Sequence, residues 1–315
     1  MKTLTLKELS KTPSKMTSGH RLCAGCAEGI VVRQALMATD KPVVVANATG
    51  CFEVSTTIYP YTAWNVPWIH TAFGNVAATA AGVESAYHAL KRRGKVTDDM
   101  RFIAIGGDGG TYDIGFQALS GALERGHQLL YLCLNNEAYM NTGIQRSGAT
   151  GIGASTTTSP AGTVVPGKVG YPKDMTQIAA DHNIPYVAQV SPHNWRDIIA
   201  KCKKGFEANG PAFVNAICPC PRGWRTDPAD TIDLAQLAVE TCVWPLYEVV
   251  NGKYTLTAES AKIADGKLEK KPLTDWFGAQ GRFKHLLKDK WMQMVEKAQA
   301  DIDAKWERLQ KLAKL

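Results

Sequence analysis

Apolar residues follow two rhythms along this chain of 315 residues. Short aliphatic runs ending in Gly, Asn or Cys alternate with longer stretches whose apolar positions recur at three- and four-residue steps. Lys41-Pro-Val-Val-Val-Ala-Asn-Ala-Thr-Gly50 predicts a buried parallel strand that runs into a functional loop. Residues 74–93 predict a helix with basic residues in its last turn and Gly94 as its stop. Residues 101–105 predict a second strand entering Gly106-Gly-Asp-Gly-Gly110, residues 113–125 a helix stopped by Gly126, and residues 127–134 a third strand ending on Asn135-Asn136. Helix and strand alternate again through 174–182, 186–190, 195–209 and 212–217, up to Cys218-Pro-Cys-Pro221. That order predicts an α/β fold, a doubly wound and mostly parallel sheet with right-handed crossovers.

Residues 143–173 are rich in Gly, Ser, Thr and Pro and carry no period. A loop of that length in a compact domain is expected to have a function. Beyond Trp224 the pattern weakens until Leu287, Trp291, Met294, Ala298, Ile302, Trp306 and Leu309 mark an amphipathic helix. Its polar face mixes both charge signs, which favours packing on protein over lying on a membrane. The chain therefore divides into residues 1–225, which hold the candidate chemistry, and a C-terminal helical extension, 226–315, suited to subunit contact. No internal repeat is evident.

A hydrophobic content of 45% supports a sizeable core, and 36 basic against 29 acidic residues give a net charge of +7. The basic residues are scattered or clustered only briefly, as at Lys91-Arg92-Arg93, which argues against nucleic acid. They suit a solvated surface or a docking face for an acidic protein. Residues 1–16 lack the apolar core of a secretory signal and no run of 18 apolar residues occurs, so a cytoplasmic protein without membrane contact is expected. Eight cysteines in that compartment are read first for metal binding.

An Asp among glycines at the carboxyl end of a strand sits where open α/β sheets bind ligands. The glycines let a phosphate approach the backbone, yet Asp108 would repel it. A Mg²⁺ ion between them removes the conflict. Asn136 could supply a second oxygen and the backbone carbonyl of Ala138 a third, so the pattern reads as a diphosphate-metal cradle rather than a tight turn alone. A dinucleotide fingerprint is missing on both counts, the Gly-x-Gly-x-x-Gly and the later acid. Gly-Asp-Gly followed by Asn-Asn resembles the thiamine-diphosphate signature.

Cys23-Ala-Gly-Cys26, Cys51 and the pair Cys218 and Cys220 offer thiolates for a tetrahedral zinc or an iron-sulfur site, and spacing does not choose between them. Dispersed ligands at strand ends beside an organic cofactor favour electron transfer. Cys133, Cys202 and Cys242 read as buried core.

Taken together, Cys23-Ala-Gly-Cys26, Ala46-Asn-Ala-Thr-Gly-Cys51, residues 106–115, residues 136–145 and Cys218-Pro-Cys-Pro-Arg-Gly-Trp224 resemble the β subunit of the pyruvate:ferredoxin oxidoreductase group of 2-oxoacid oxidoreductases, over residues 18 to about 250. The resemblance implies one [4Fe-4S] cluster on Cys23, Cys26, Cys51 and Cys220, with Cys218 a bystander. It implies Mg²⁺ on Asp108, Asn136 and Ala138, thiamine diphosphate along Thr49, Gly50, Gly107, Asp108, Gly109 and Asn136, and Asn141 near the thiazolium as the catalytic side chain. The implied reaction is oxidative decarboxylation of a 2-oxoacid, pyruvate first, with one-electron transfers to the cluster and on to ferredoxin, and coenzyme A as acyl acceptor. Oxalate, which needs no acceptor, and branched-chain 2-oxoacids are the alternatives within the family; a non-redox thiamine lyase and a zinc-stabilised binding module are those outside it. No carboxylate for the aminopyrimidine is apparent, nor a two-cluster ferredoxin pattern, so a thiamine-pyrimidine-binding subunit and a ferredoxin-like subunit are expected as partners. After Ala149-Thr150 the family commonly carries proline where this chain has Gly151, so the loop over the active site is expected to differ.

Overall fold

The computed structural model describes residues 5–315. Eight strands form one sheet: β1 (Val43–Ala48), β2 (Trp68–Thr71), β3 (Arg101–Gly107), β4 (Leu130–Asn135), β5 (Tyr186–Val190), β6 (Ala212–Ile217), β7 (Tyr247–Val250) and β8 (Lys253–Leu256). Their order is β2-β1-β3-β4-β6-β5-β7-β8. The first six pair in parallel, while β7 runs antiparallel to β5 and β8 antiparallel to β7.

The strand side chains alternate between two cores, as the pleat requires. Val43 and Val45 of β1 and Leu130, Leu132 and Leu134 of β4 face one core with the helices Ala27–Leu36 and Trp195–Glu207. Ala46, Ala48, Tyr131 and Cys133 face the other, with Val76–Arg92 and Phe116–Glu124. Burial on both faces explains why these strands read as continuous apolar runs in the sequence.

Some boundaries shift, for local reasons. The helix expected from 113 begins as a π-turn, Gly109–Asp113, closed by Ile114 N–H to the Gly109 carbonyl at 3.2 Å, before Phe116–Glu124. The strand expected from 127 begins at Leu130, because buried Glu84 draws off the residues before it. His127 Nδ1 lies 3.0 Å from Glu84 Oε2, and Gln128 N–H donates to Oε1 at 3.2 Å.

The sheet crosses residue 225: β7 and β8 extend it beyond the division read from the sequence. The amphipathic helix is Met292–Leu312, and it lays Trp306 and Leu309 on the second core and Val295 and Ala298 on a third, C-terminal cluster. Among the described residues no helix is long and apolar enough to cross a membrane.

Candidate active site

The chain leaves β1 toward β2 on one side and leaves β3 toward β4 on the other. The loops after β1 and β3 therefore diverge, and open α/β sheets take ligands in such a crevice. A cavity lies there. Its walls include Thr49 and Gly50 after β1, Gly107, Asp108 and Gly109 after β3, and Asn136, Ala138 and Asn141 after β4. Every cofactor-binding position expected from the sequence thus meets at one place.

Asp108 is 1% exposed, and burial pushes its carboxyl up to about 8. Ser147 Oγ donates to its Oδ2, while Oδ1 has no hydrogen-bond partner. A buried carboxylate oxygen left without a partner costs stability unless a cation or donor meets it, so this donor fits a hard divalent ion. Thr49 is oriented beside it, with Oγ1 2.7 Å from His70 Nε2 and its N–H on the Thr71 carbonyl at 3.2 Å. Asn141 is exposed at the mouth. Gly109 has to be glycine, since a Cβ there would lie 2.3 Å from the Tyr139 ring.

The two asparagines separate by strand parity. Asn135 continues the Tyr131 and Cys133 face and donates to Tyr112 Oη at 3.0 Å, whereas Asn136 turns into the cradle. Asn136 Nδ2 donates to Glu28 Oε1 at 2.9 Å, its Oδ1 accepts Ala138 N–H at 3.3 Å, and its carbonyl accepts the Trp224 indole N–H at 2.9 Å. Glu137 bridges to the next turn with φ 65, held by Arg282 at 2.7 Å.

Glu28 is the residue that the sequence reading missed. It is 3% exposed, lines the cavity, is raised to about 7 by burial, and keeps Oε2 unpartnered. Its signal was available: an acidic residue two positions past a Cys-x-x-Cys pair, in the first turn of a helix.

The cysteines gather behind Glu28. Gly25, at φ 72, folds the first pair into a turn closed by Cys26 N–H to the Cys23 carbonyl at 3.0 Å, and its Cβ would overlap the Pro228 carbonyl. Thr231 Oγ1 donates to the Gly25 carbonyl at 2.6 Å, and Ala27 N–H reaches the Pro219 carbonyl at 3.4 Å, which docks this turn on the Cys220 loop. Cys220 is part-buried and accepts Gly223 N–H on its sulfur at 3.4 Å. Cys218 points the other way, fully buried in the first core with Ala216 and Val214.

Burial first, and then the charges of Glu28 and of one another, push the thiols of Cys26 and Cys51 far up; burial likewise raises Cys220, with Glu28 and Cys23 adding. Thiols that oppose each other's ionisation suit a cation that would offset the repulsion. They are not drawn into a finished ligand set: among the described residues no group of three or more His, Cys, Asp or Glu side chains is placed to hold a metal ion. Cys133, Cys202 and Cys242 are buried in the cores.

Fold and site define a thiamine-diphosphate-binding domain, and the family model described as "Thiamine pyrophosphate enzyme, C-terminal TPP binding domain" matches residues 48–216. The chain is 48% identical over 310 residues to pyruvate synthase subunit PorB of Thermotoga maritima, covering 96% of this chain and 93% of that one. It is 51% identical over 289 residues to PorB of Methanocaldococcus jannaschii, covering 91% and 93%. Ketoisovalerate oxidoreductase subunit VorB of Pyrococcus abyssi is 40% identical over 298 residues, covering 95% and 93%. A 2-oxoglutarate:ferredoxin oxidoreductase from Magnetococcus marinus shares the fold, with TM-score 0.54 and 20% identity over 75% of this chain and 81% of that one. The chain belongs to the 2-oxoacid:ferredoxin oxidoreductase family, in the group of PorB and VorB subunits.

Proposed function

We propose that this chain is the thiamine-diphosphate and iron-sulfur subunit of a cytoplasmic pyruvate:ferredoxin oxidoreductase complex, with coenzyme A as acyl acceptor. The observation that carries the reading is the unpartnered Oδ1 of buried Asp108 in a crevice that also holds Asn136, Thr49 and Gly50, with part-buried cysteines directly behind it.

In this reading Asp108, Asn136 and the Ala138 carbonyl hold Mg²⁺. Gly107, Gly109, Thr49 and Gly50 let the diphosphate approach the backbone. Thiamine diphosphate, when bound, supplies the electron sink for decarboxylation and a [4Fe-4S] cluster the one-electron acceptor. Glu28 fixes the Asn136 amide by accepting from its Nδ2, so that Oδ1, which accepts Ala138 N–H, keeps a second lone pair for the metal. Cys23, Cys26, Cys51 and Cys220 hold the cluster, and Cys51, next to Gly50 in the chain, lines the cradle cavity itself. Asn141, at the mouth, meets the substrate end of the ring. A second subunit covers the aminopyrimidine, and a ferredoxin-like subunit carries electrons onward to ferredoxin.

The test is viologen reduction by the assembled complex with pyruvate, 2-oxoisovalerate, 2-oxoglutarate and oxalate, each with and without coenzyme A. Pyruvate with coenzyme A is expected to give the highest kcat/KM. A preference for 2-oxoisovalerate would move the chain to the branched-chain branch, and turnover of oxalate without coenzyme A to the acceptor-free one.

A further inference from the structure

A second cavity, of about 260 Å³, lies on the opposite face of the sheet from the cradle, beneath the helix Met292–Leu312. Nothing in the reaction described above uses it. It is many times larger than one water molecule needs. Trp244, Trp276, Phe277, Phe283 and Leu309 give it apolar and aromatic walls, and the charged side chains of Lys173, Asp174, Asp301, Lys305 and Arg308 also line it.

The floor is built from polar side chains on neighbouring strands. Asn135 of β4, Gln189 of β5 and Asn215 of β6 share the face that Asn136 does not. Asn215 is 1% exposed, and its Nδ2 donates to Tyr112 Oη at 2.8 Å and to Thr176 Oγ1 at 3.0 Å. Thr176 Oγ1 in turn donates to Gln189 Oε1 at 2.8 Å, and Gln189 Nε2 to the Pro245 carbonyl at 2.9 Å. Two capacities are left over. Asn215 Oδ1 is buried with no partner, and Tyr112 Oη accepts from both Asn135 and Asn215, so its own hydrogen is free to donate. Rotating the Asn215 amide by a half turn would leave its NH₂ unpartnered instead, so one amide pole lacks a partner either way.

We propose that this cavity is a binding site for a neutral, flat ring bearing a cyclic amide. The amide N–H meets Asn215 Oδ1 and its carbonyl accepts from the Tyr112 hydroxyl. An adjoining donor and acceptor on a ligand satisfy both leftover capacities, whereas a hydrocarbon would leave Asn215 stranded at a real cost. Aromatic walls suit a flat ring by offset stacking or edge contacts. The floor asks for an uncharged ligand, because Glu137 at its edge is matched by Arg282 at 2.7 Å and, among the charged side chains of the lining, Lys173 is matched by Asp113 at 2.9 Å and Lys305 by Asp301 at 2.7 Å.

The probe is 2-quinolone, and quinoline, of the same shape but without the amide, is its control. Both are titrated calorimetrically into the assembled complex loaded with thiamine diphosphate and Mg²⁺. The quinolone should bind at least tenfold more tightly than quinoline. Asn215→Leu should erase that preference, and Tyr112→Phe, which removes a single oxygen, should reduce it severalfold while leaving the fold intact. Equal affinities, no binding of the quinolone up to its solubility limit, or a tenfold preference that survives in Tyr112→Phe and Asn215→Leu would each overturn the proposal. Viologen reduction in the same samples reports separately on the cradle, so loss of one reading does not carry the other with it.

Discussion

At the scale of single residues, each site rests on side chains whose neighbours settle their role. Cys218 and Cys220 are two positions apart, yet one continues the inward face of β6 into the core and the other caps the turn that follows. Changing Cys220 to Ser should therefore lower the iron held by this chain well below four per chain, and Cys218→Ser should leave it unchanged; iron analysis of the isolated, reconstituted chain showing the reverse would exchange their roles. Asp108→Ala removes the unpartnered oxygen of the cradle. It should weaken thiamine-diphosphate binding in the presence of Mg²⁺ by about 1–3 kcal/mol, roughly tenfold to hundredfold or more. Calorimetry giving an unchanged Kd would make the aspartate a turn residue only.

At the scale of elements, a part-buried polar contact between a loop and a helix creates a defined acid sensitivity. The loop before the helix Trp195–Glu207 is tied to the helix Ala258–Ala264 through Glu259, which lies 3.4 Å from His193 Nε2 and accepts from Asn194 Nδ2 at 3.1 Å. The His193 imidazole beside it, with the Asn194 amide, holds the Glu259 carboxyl down, to about 2 against an ordinary 4.5. A carboxyl lowered in the folded state binds fewer protons there than in the unfolded chain. Its stabilisation is complete above pH 4.5 and fades as the pH falls toward 2. Urea titrations should show that Glu259→Gln flattens the pH dependence of stability within that window and lowers stability above it. Parallel curves for the variant and the parent would remove Glu259 from the account.

At the scale of the whole molecule, the cradle sits at one mouth of the sheet, and in the proposed reading a second subunit covers the cofactor ring. Large apolar side chains stay exposed on the surface, with Tyr59 94%, Tyr61 70% and Ile114 62% exposed, which suits contact with another subunit. The isolated chain, reconstituted with iron, sulfide, thiamine diphosphate and Mg²⁺, should therefore reduce viologen with pyruvate at under a hundredth of the rate of the assembled complex. Comparable rates would mean that this chain itself supplies the carboxylate that activates the ring.

Much of this was legible in the residues themselves. Apolar runs on β1, β3 and β4 are strong local signals because both faces of those strands are buried, and Gly106-Gly-Asp-Gly-Gly110, Asn136 and the cysteines carry their chemistry in their identity and order. β2, β7 and β8 were not legible: each has four residues, β2 and β8 are partly exposed edge strands, and β7, though mostly buried, is too short for its pattern to show, so pairing rather than composition makes the strand. Nor was the role of Glu28, since an acid in the first turn of a helix is usually a solvated one. Only the packing of that helix against the Cys220 loop buries it beside Asn136. The sequence by itself determined the fold class, the cradle residues and the candidate thiols, because each depends on local pattern or on side-chain chemistry. Tertiary structure alone decided that Glu28 is buried beside Asn136 and that a second polar-floored cavity exists, because these depend on strand parity and on contacts between residues far apart in the chain.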